Sequence, residues 1–571
     1  MSPRRGVRNP KTVYPQVLPE IEQWPIFLLS EDRKNFIREI DAYTLRRITQ
    51  QSPQKVEDML TRTIYQERIR VKEEPWKVDP PKERQFWRRI RRELMKKSLD
   101  QPQEEALRSN AELLQKIIHR YSEEIVGTFR IKTFLFARRF LTFFFNRLLQ
   151  AKQRGFFRAQ GARKRLYEKL IVRGEVEKLR SLFSKGTVVV VPTHFSNLDS
   201  ILIGYALDAV VGLPSFSYGA GLNLYNTGYT AYFMNRLGAY RVDRRKKNPI
   251  YLETLKAMST LSIKRGTNSL FFPGGTRSRS GHLETRLKLG LLGTTVEAQR
   301  LLYQEGKNEK IFIVPLVLGY HFVLEAPFLI EQHLKRMGKE RYFKSKDDFF
   351  SPTRVLQYAW KVLAEGNDIT LSFGQPLDVL GNIVDAEGNS YDQYGNPIDV
   401  RQYFMLNGQV TENLQREKEY TRELAQIIVQ RYHEDNTVLS SHLVAFAAFK
   451  LLQKEHPKLD LYGVLRLPVD DYVFSQQSLR HTIGQLRTTL MNMSDRSEIK
   501  LSDQIFWEVD ELLRHGISRL GTFHLRKPLR YNRKGDIVSE NFKLLYYYHN
   551  RLDNYGLDQK ITWQHFAIEV E

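Results

Sequence analysis

From about residue 186 onward, short β-rich runs alternate with stretches of helical length, and no other feature of the sequence constrains the fold as strongly. The strand candidates are Thr187–Val191, Ala239–Val242, Ser269–Phe272, Ile311–Leu318 and Ile369–Phe373. Between the first four lie stretches such as Pro249–Lys264 and Glu284–Tyr303. Connections of that length allow a strand to return in parallel with its neighbour, which a tight hairpin cannot do. The pattern predicts an α/β domain over 171–405, built on a doubly wound, mostly parallel sheet. Residues 1–170 are rich in Arg, Lys, Glu, Gln and Leu at helical spacing. They predict a basic helical domain, with Leu107, Leu113, Leu114, Ile117 and Ile118 sharing one helix face. Residues 406–571 read as a mixed, largely helical region, with helices over 411–433 and 438–454. Gly-Asn and Glu-Gly pairs within 375–400 predict a β-hairpin-like insertion. No repeat of fixed period is expected.

Composition narrows the classes of function. With no cysteine in 571 residues, a disulfide framework, a thiolate metal site and a cysteine nucleophile are all excluded. The net charge is +24, and residues 1–180 carry +18 of it, with 41 Lys/Arg against 23 Asp/Glu. Such a field attracts nucleic acid, anionic lipid or phosphorylated small molecules. No RNP, zinc-finger or KH signature accompanies it, so no nucleic-acid partner is expected. Segment 131–158 interleaves Phe and Leu with Lys132, Arg138, Arg139, Arg147, Lys152, Arg154 and Arg158. Cations at mid-bilayer cost on the order of 2.5–3.5 kcal/mol each, so the segment is expected to lie in an anionic membrane surface rather than to span it. The competing reading is a helix packed on the α/β domain with its cations outward. The expectation is a peripheral protein at the cytoplasmic face of a membrane. Oligomeric state leaves no signal in the sequence.

Three segments carry chemistry, and a fourth is a proline-interrupted strand. In TVVVVPTHFSNLDS (187–200) a buried strand ends at Pro192, and His194 and Asp199 follow at the start of a helix. Carboxyl ends of parallel strands are where ligands bind in such sheets, and a His oriented by a carboxylate can take a proton from an alcohol. The alternative is an N-cap Asp beside an unrelated loop His. In SLFFPGGTRSRSGHL (269–283) a strand runs into Gly274 and Gly275, then Thr276, Arg277, Ser278 and Arg279. Exposed backbone N–H groups, hydroxyls and guanidiniums in one turn suit phosphate; a solvated basic turn is the alternative. In GAYRVDRRKK (238–247), Arg244 just past a strand end is a second anion contact, whereas Lys246 and Lys247 read as a solvated face. In IFIVPLVLGY (311–320), Pro315 marks an edge strand or a bulge.

In this order, over roughly 187–320, the four segments resemble the blocks of the glycerolipid acyltransferase superfamily: His-x4-Asp, an Arg-bearing block, an FPEGTRS-like block and a VPV-like strand. THFSNLD resembles the lysophosphatidate acyltransferases, and RSRSG the glycerol-3-phosphate acyltransferases. The resemblance implies transfer of a fatty acyl group from an acyl thioester, acyl-CoA or acyl carrier protein, to a glycerol-phosphate acceptor. It implies His194 as general base, Asp199 as its orienting partner, and Arg244, Arg277 and the surrounding residues Gly275, Thr276, Ser278 and Arg279 as acceptor-binding, with Pro315 in the fourth block. It implies no metal and no cofactor besides the donor. Gly274 departs from the family pattern, which has Glu there. The acceptor is then bound differently, or activity is reduced, or the chain is a non-catalytic relative.

Overall fold

The computed structural model describes residues 13–76, 79–95, 103–150, 170–225, 228–338, 368–469 and 472–563. Its centre is a seven-stranded sheet of β1 (Leu170–Gly174), β2 (Gly186–Pro192), β3 (Ser217–Gly221), β4 (Ala239–Val242), β5 (Ser269–Leu270), β6 (Lys310–Tyr320) and β7 (Ile369–Phe373), in the order β1-β7-β6-β2-β5-β3-β4. Strands β6, β2, β5, β3 and β4 are mutually parallel, while β7 is antiparallel to β6 and parallel to β1. Continuous apolar runs form the middle of the sheet because both faces are covered: Val188–Val191 of β2 are fully buried. The predicted α/β fold is the observed one, with two strands, β1 and β3, that the apolar pattern did not predict.

The expected helix Pro249–Lys264 is present with those bounds, capped by the Asn248 side chain accepting the Tyr251 N–H at 2.8 Å. The next one begins at Leu289 rather than Glu284, so residues 284–288 form loop. Pro315 lies in a strand flanked on both sides, not at an edge. It is tolerated because β7 is irregular opposite it. Ile313 pairs with Leu377 and Leu316 with Phe373, so three residues, 374–376, face only Val314 and Pro315. The bulge half of the expectation holds.

The N-terminal helices are α1 (Pro25–Glu31), α2 (Arg33–Thr49), α3 (Pro53–Glu73), α4 (Glu83–Met95), α5 (Gln103–Ile125) and α6 (Ile131–Gln150). Leu113, Leu114, Ile117 and Ile118 of α5 are buried in one cluster with Tyr240, Ile250 and Met258 of the α/β domain. Leu107 leaves that face and is 40 % exposed. An ion network supplements the apolar contact. Arg70 pairs with Glu67, Asp79 and Glu83, Arg245 with Asp79 and Asp243, and Lys246 with Glu124. Lys246 is 2 % exposed, which overturns its reading as a solvated residue: with Glu83 of α4 and Glu124 of α5 facing it, its charge fastens the helical domain to the sheet. Lys247 is exposed as expected.

Helices Leu414–Glu434 and Ser440–Glu455 match the two predicted for the C-terminal region. Its core is continuous with that of the sheet domain: Phe446, Phe449, Leu545 and Leu552 share one cluster with Val189 and Ile313. Segment 375–400 contains a three-stranded antiparallel sheet built on a seven-residue repeat, Asp-x-x-Gly-Asn, at 378, 385 and 392. In each unit the Asp accepts N–H bonds from residues i+2 and i+4 and from the Asn side chain, at 2.8–3.1 Å. The expectation of no fixed-period repeat is thereby corrected; three short units are too few to stand out in a chain of this length.

Candidate active site

Strand β2 ends at Pro192, and Thr193 extends its ladder by donating its N–H to Leu316 O and accepting the Leu318 N–H at its hydroxyl. The chain then turns through His194–Leu198 and enters a helix at Asp199. The His194 Nδ1 lies 2.8 Å from Asp199 Oδ2, and the same oxygen accepts the N–H groups of Phe195 at 2.7 Å and Ser196 at 3.0 Å. Oδ1 accepts the Tyr320 hydroxyl at 2.6 Å. Asp199 has no solvent exposure, so it acts both as orienter of the imidazole and as the hub that folds the loop. The His194 side chain is 15 % exposed and stacks on Phe272, with ring centroids 4.0 Å apart. With Nδ1 engaged, Nε2 is the nitrogen left to face a substrate.

The glycine-rich segment reaches His194 because β5 neighbours β2. The Ser278 N–H donates to His194 O at 2.7 Å, joining the two loops directly. Ser278 Oγ donates to His282 O and accepts the Gly281 N–H, which closes the turn. Gly275 has φ +76°, and a Cβ there would come within 2.6 Å of Lys288 Nζ, so the position requires glycine. Arg277 is largely buried, with Nη1 3.5 Å from Glu325 Oε1. Glu325 also accepts the Ser196 hydroxyl and the Asn197 N–H, so it ties the Arg277 turn to the His194 loop, and burial raises its carboxyl above the usual range. Arg279 turns away toward the helix Ala326–Met337, where its Nε donates to Gln332 at 3.2 Å. Thr276 is half-buried within the same turn.

Arg244 is exposed beyond β4, at the same carboxyl end of the parallel strands as His194. Three strand spacings separate β4 from β2, roughly 14 Å at ~4.8 Å each. Arg244 is thus not in the group gathered around the imidazole. Pro315 is buried in β6 opposite Val191, three residues before His194, and shapes the sheet beneath the site.

Several residues of the site were not singled out in the sequence. Tyr320 ends the fourth block, Glu325 follows five residues later, and Glu284 lies in the loop read as helix. The C-terminal helix Phe542–Asp553 closes the back of the site. The Arg551 guanidinium lies over the Phe195 ring at 4.2 Å and donates to Asn436 and to Leu318 O. Burial lowers its pKa to about 10. Asn550 donates to Ser280 O at 2.8 Å. Residues so distant in sequence offer no local pattern to read.

Helix α6 packs against the Asp199 helix, with Arg138 paired to Asp208 at 3.1 Å and Thr142 bonded to Tyr205. Its other side presents Phe136, Phe140 and Phe143 at 58, 42 and 63 % exposure. An apolar cavity of about 110 Å³ between the two helices is lined by Phe134, Leu141, Ile201, Tyr205 and Leu270. A larger, mixed-charge groove of about 830 Å³ lies away from His194, between α5 and β4. The predicted interfacial residues Lys152, Arg154 and Arg158 lie outside the described residues. Among those described, no helix is long and apolar enough to cross a membrane.

Residues 172–319 match the Acyltransferase family profile. A glycerol-3-phosphate acyltransferase of Aeromonas hydrophila is 28 % identical over 298 residues, 51 % of this chain and 32 % of that protein. Proteins of the same description from Haemophilus ducreyi and Shewanella frigidimarina are 32 % identical over 219 residues and 25 % over 406, covering 24 % and 42 % of their lengths and 38 % and 69 % of this chain. The chain thus spans less than half the length of each of these relatives. A solved 1-acyl-sn-glycerophosphate acyltransferase from Thermotoga maritima aligns with 52 % of this chain and 92 % of its own, at 14 % identity and a TM-score of 0.24.

Proposed function

We propose that the chain is a glycerolipid acyltransferase through its α/β domain, moving a fatty acyl group from an acyl thioester to a hydroxyl of a glycerol 3-phosphate-type acceptor. The observation that carries the reading is the His194–Asp199 pair at the carboxyl end of β2, with Arg277 held beside the same loop. In the reaction, His194 Nε2 takes the proton of the acceptor hydroxyl as its oxygen attacks the thioester carbonyl. Asp199 holds the ring and stabilises the imidazolium; collapse of the adduct expels the thiolate, which takes the proton from the imidazolium. Arg277 supplies the cation for the acceptor phosphate, with Arg244 as a more distant anion contact. The apolar cavity beside the Asp199 helix suits the first part of an acyl chain.

The protein's place is a membrane surface, reached through α6. Aromatic rings on its outer side beside Lys132 and Arg139 suit entry into the headgroup boundary. The decisive measurement is acyl transfer by purified protein, with acyl-CoA and acyl carrier protein as donors and glycerol 3-phosphate, its 1-acyl derivative and glycerol as acceptors. Transfer to a phosphorylated acceptor is expected, and His194→Ala should lower it by ~10²–10⁴. Undiminished transfer by a folded His194→Ala variant would refute the mechanism.

A further inference from the structure

Gly274 stands where the resemblance calls for a carboxylate, and the structure shows what occupies the adjacent space. A Cβ built on Gly274 would lie 3.0 Å from Glu284 Cγ and 3.1 Å from Glu284 Oε1. The volume into which a side chain at 274 would grow is already filled by a carboxylate from ten residues downstream. Glu284 can reach it because residues 284–288 are loop, held in place by the Lys288 N–H donating to Pro273 O at 2.8 Å.

The two oxygens of Glu284 have different surroundings. Oε1 accepts the backbone N–H of His194 at 3.0 Å. Oε2 is shielded from solvent and has no hydrogen-bond partner among the described residues. A buried carboxylate oxygen without a donor is costly, so it takes a proton or a donor that arrives with a ligand. Burial raises the Glu284 carboxyl to about 7, consistent with that missing donor. Asp199 does not share the deficit, since both its oxygens are engaged by protein donors.

We propose that Glu284 is the acceptor-binding carboxylate of this site: it stands in for the side chain absent at Gly274, and its Oε2 accepts a hydroxyl of the glycerol-phosphate substrate beside His194. The inference rests on the acyl-transfer reading above. It makes the glycine an adaptation: Gly274 leaves room for a carboxylate supplied from the other end of the Arg277 turn. Restoring Glu at 274 alone crowds Glu284 and should lower activity rather than raise it.

Initial rates against varied glycerol 3-phosphate at saturating donor test this for wild type, Glu284→Gln, Glu284→Ala, Gly274→Glu and Gly274→Glu/Glu284→Ala. Glu284→Gln keeps the shape and an acceptor for the His194 N–H, but turns Oε2 into a donor. It should lower kcat/KM for the acceptor ~10–100-fold, as expected for a lost hydrogen bond to a charged group, with the donor KM within about twofold. If Oε2 simply carries a resident proton, the neutral amide will behave like wild type. The double variant should recover at least about threefold over Glu284→Ala, because the carboxylate then grows into the vacated space. Near-wild-type kinetics for Glu284→Gln overturn the inference while leaving acyl transfer standing, as does a folded double variant no better than Glu284→Ala. No transfer by the wild type to any acceptor overturns both.

Discussion

Asp199 is where the proposed chemistry and the scaffold meet, and two substitutions separate them. Four donors converge on its carboxylate: the His194 ring, the Phe195 and Ser196 N–H groups and the Tyr320 hydroxyl. Asp199→Asn preserves an acceptor oxygen at the Oδ2 position, so the loop survives. It removes the charge that stabilises the imidazolium, and its amide nitrogen forces Tyr320 to turn from donor to acceptor. The turnover number should fall by about 10²–10⁴, or ~3–5 kcal/mol of transition-state stabilisation, with the fold retained. Asp199→Ala removes the acceptor altogether. Two buried N–H groups are orphaned at ~1–3 kcal/mol each, roughly 2–6 kcal/mol in all, comparable to the whole stability of many domains, and the Tyr320 hydroxyl loses its 2.6 Å acceptor. Urea unfolding followed by circular dichroism, beside acyl-transfer rates, reads the two effects separately. A folded Asp199→Asn variant within threefold of wild-type turnover would refute the orienting role. Equal stability of the two variants would refute the hub.

Three further outcomes are expected. Arg277→Lys keeps the charge but loses the planar fork beside Glu325; it should raise the KM for phosphorylated acceptors about tenfold and leave unphosphorylated ones unchanged, and an equal effect on both contradicts phosphate recognition. Changing Phe136, Phe140 and Phe143 together to Ser should abolish cosedimentation with anionic vesicles at low salt while the protein stays folded, its melting temperature falling only by what the Phe136–Phe233 stack contributes; undiminished binding contradicts the proposed membrane contact of α6. Burial lifts the Glu284 carboxyl from 4.5 to about 7, so the folded protein holds this proton more tightly than the unfolded chain, and wild type loses up to about 3 kcal/mol as pH rises through that window. Glu284→Gln lacks this loss and should be the more stable protein at pH 8 by more than at pH 4, a gap that urea titrations at the two pH values measure; a constant difference disproves the assignment of the raised group.

What could be read in the sequence was local. Strands buried on both faces must be nearly continuous in apolar residues, and β2 and β6 were legible for that reason. Strand β3, Ser-Tyr-Gly-Ala-Gly, was not: its place beside β5 comes from neighbours rather than from its own propensity. The His-x4-Asp spacing and the Arg277 turn were visible because each lies within one strand-to-loop connection, where chemistry and spacing are encoded together. Glu284 looked like the first residue of a helix, since helical periodicity does not mark where a loop ends. Lys246 and Lys247 are neighbours of identical type, yet one is buried against Glu124 and the other faces solvent. By itself, then, the sequence marked five of the seven strands of the sheet, the His194–Asp199 spacing and the basic turn. Only the tertiary structure decided that Tyr320, Glu325, Arg551 and the Glu284 carboxylate surround them. Those residues are brought together by packing between distant segments, and no local interaction along the chain specifies which will meet.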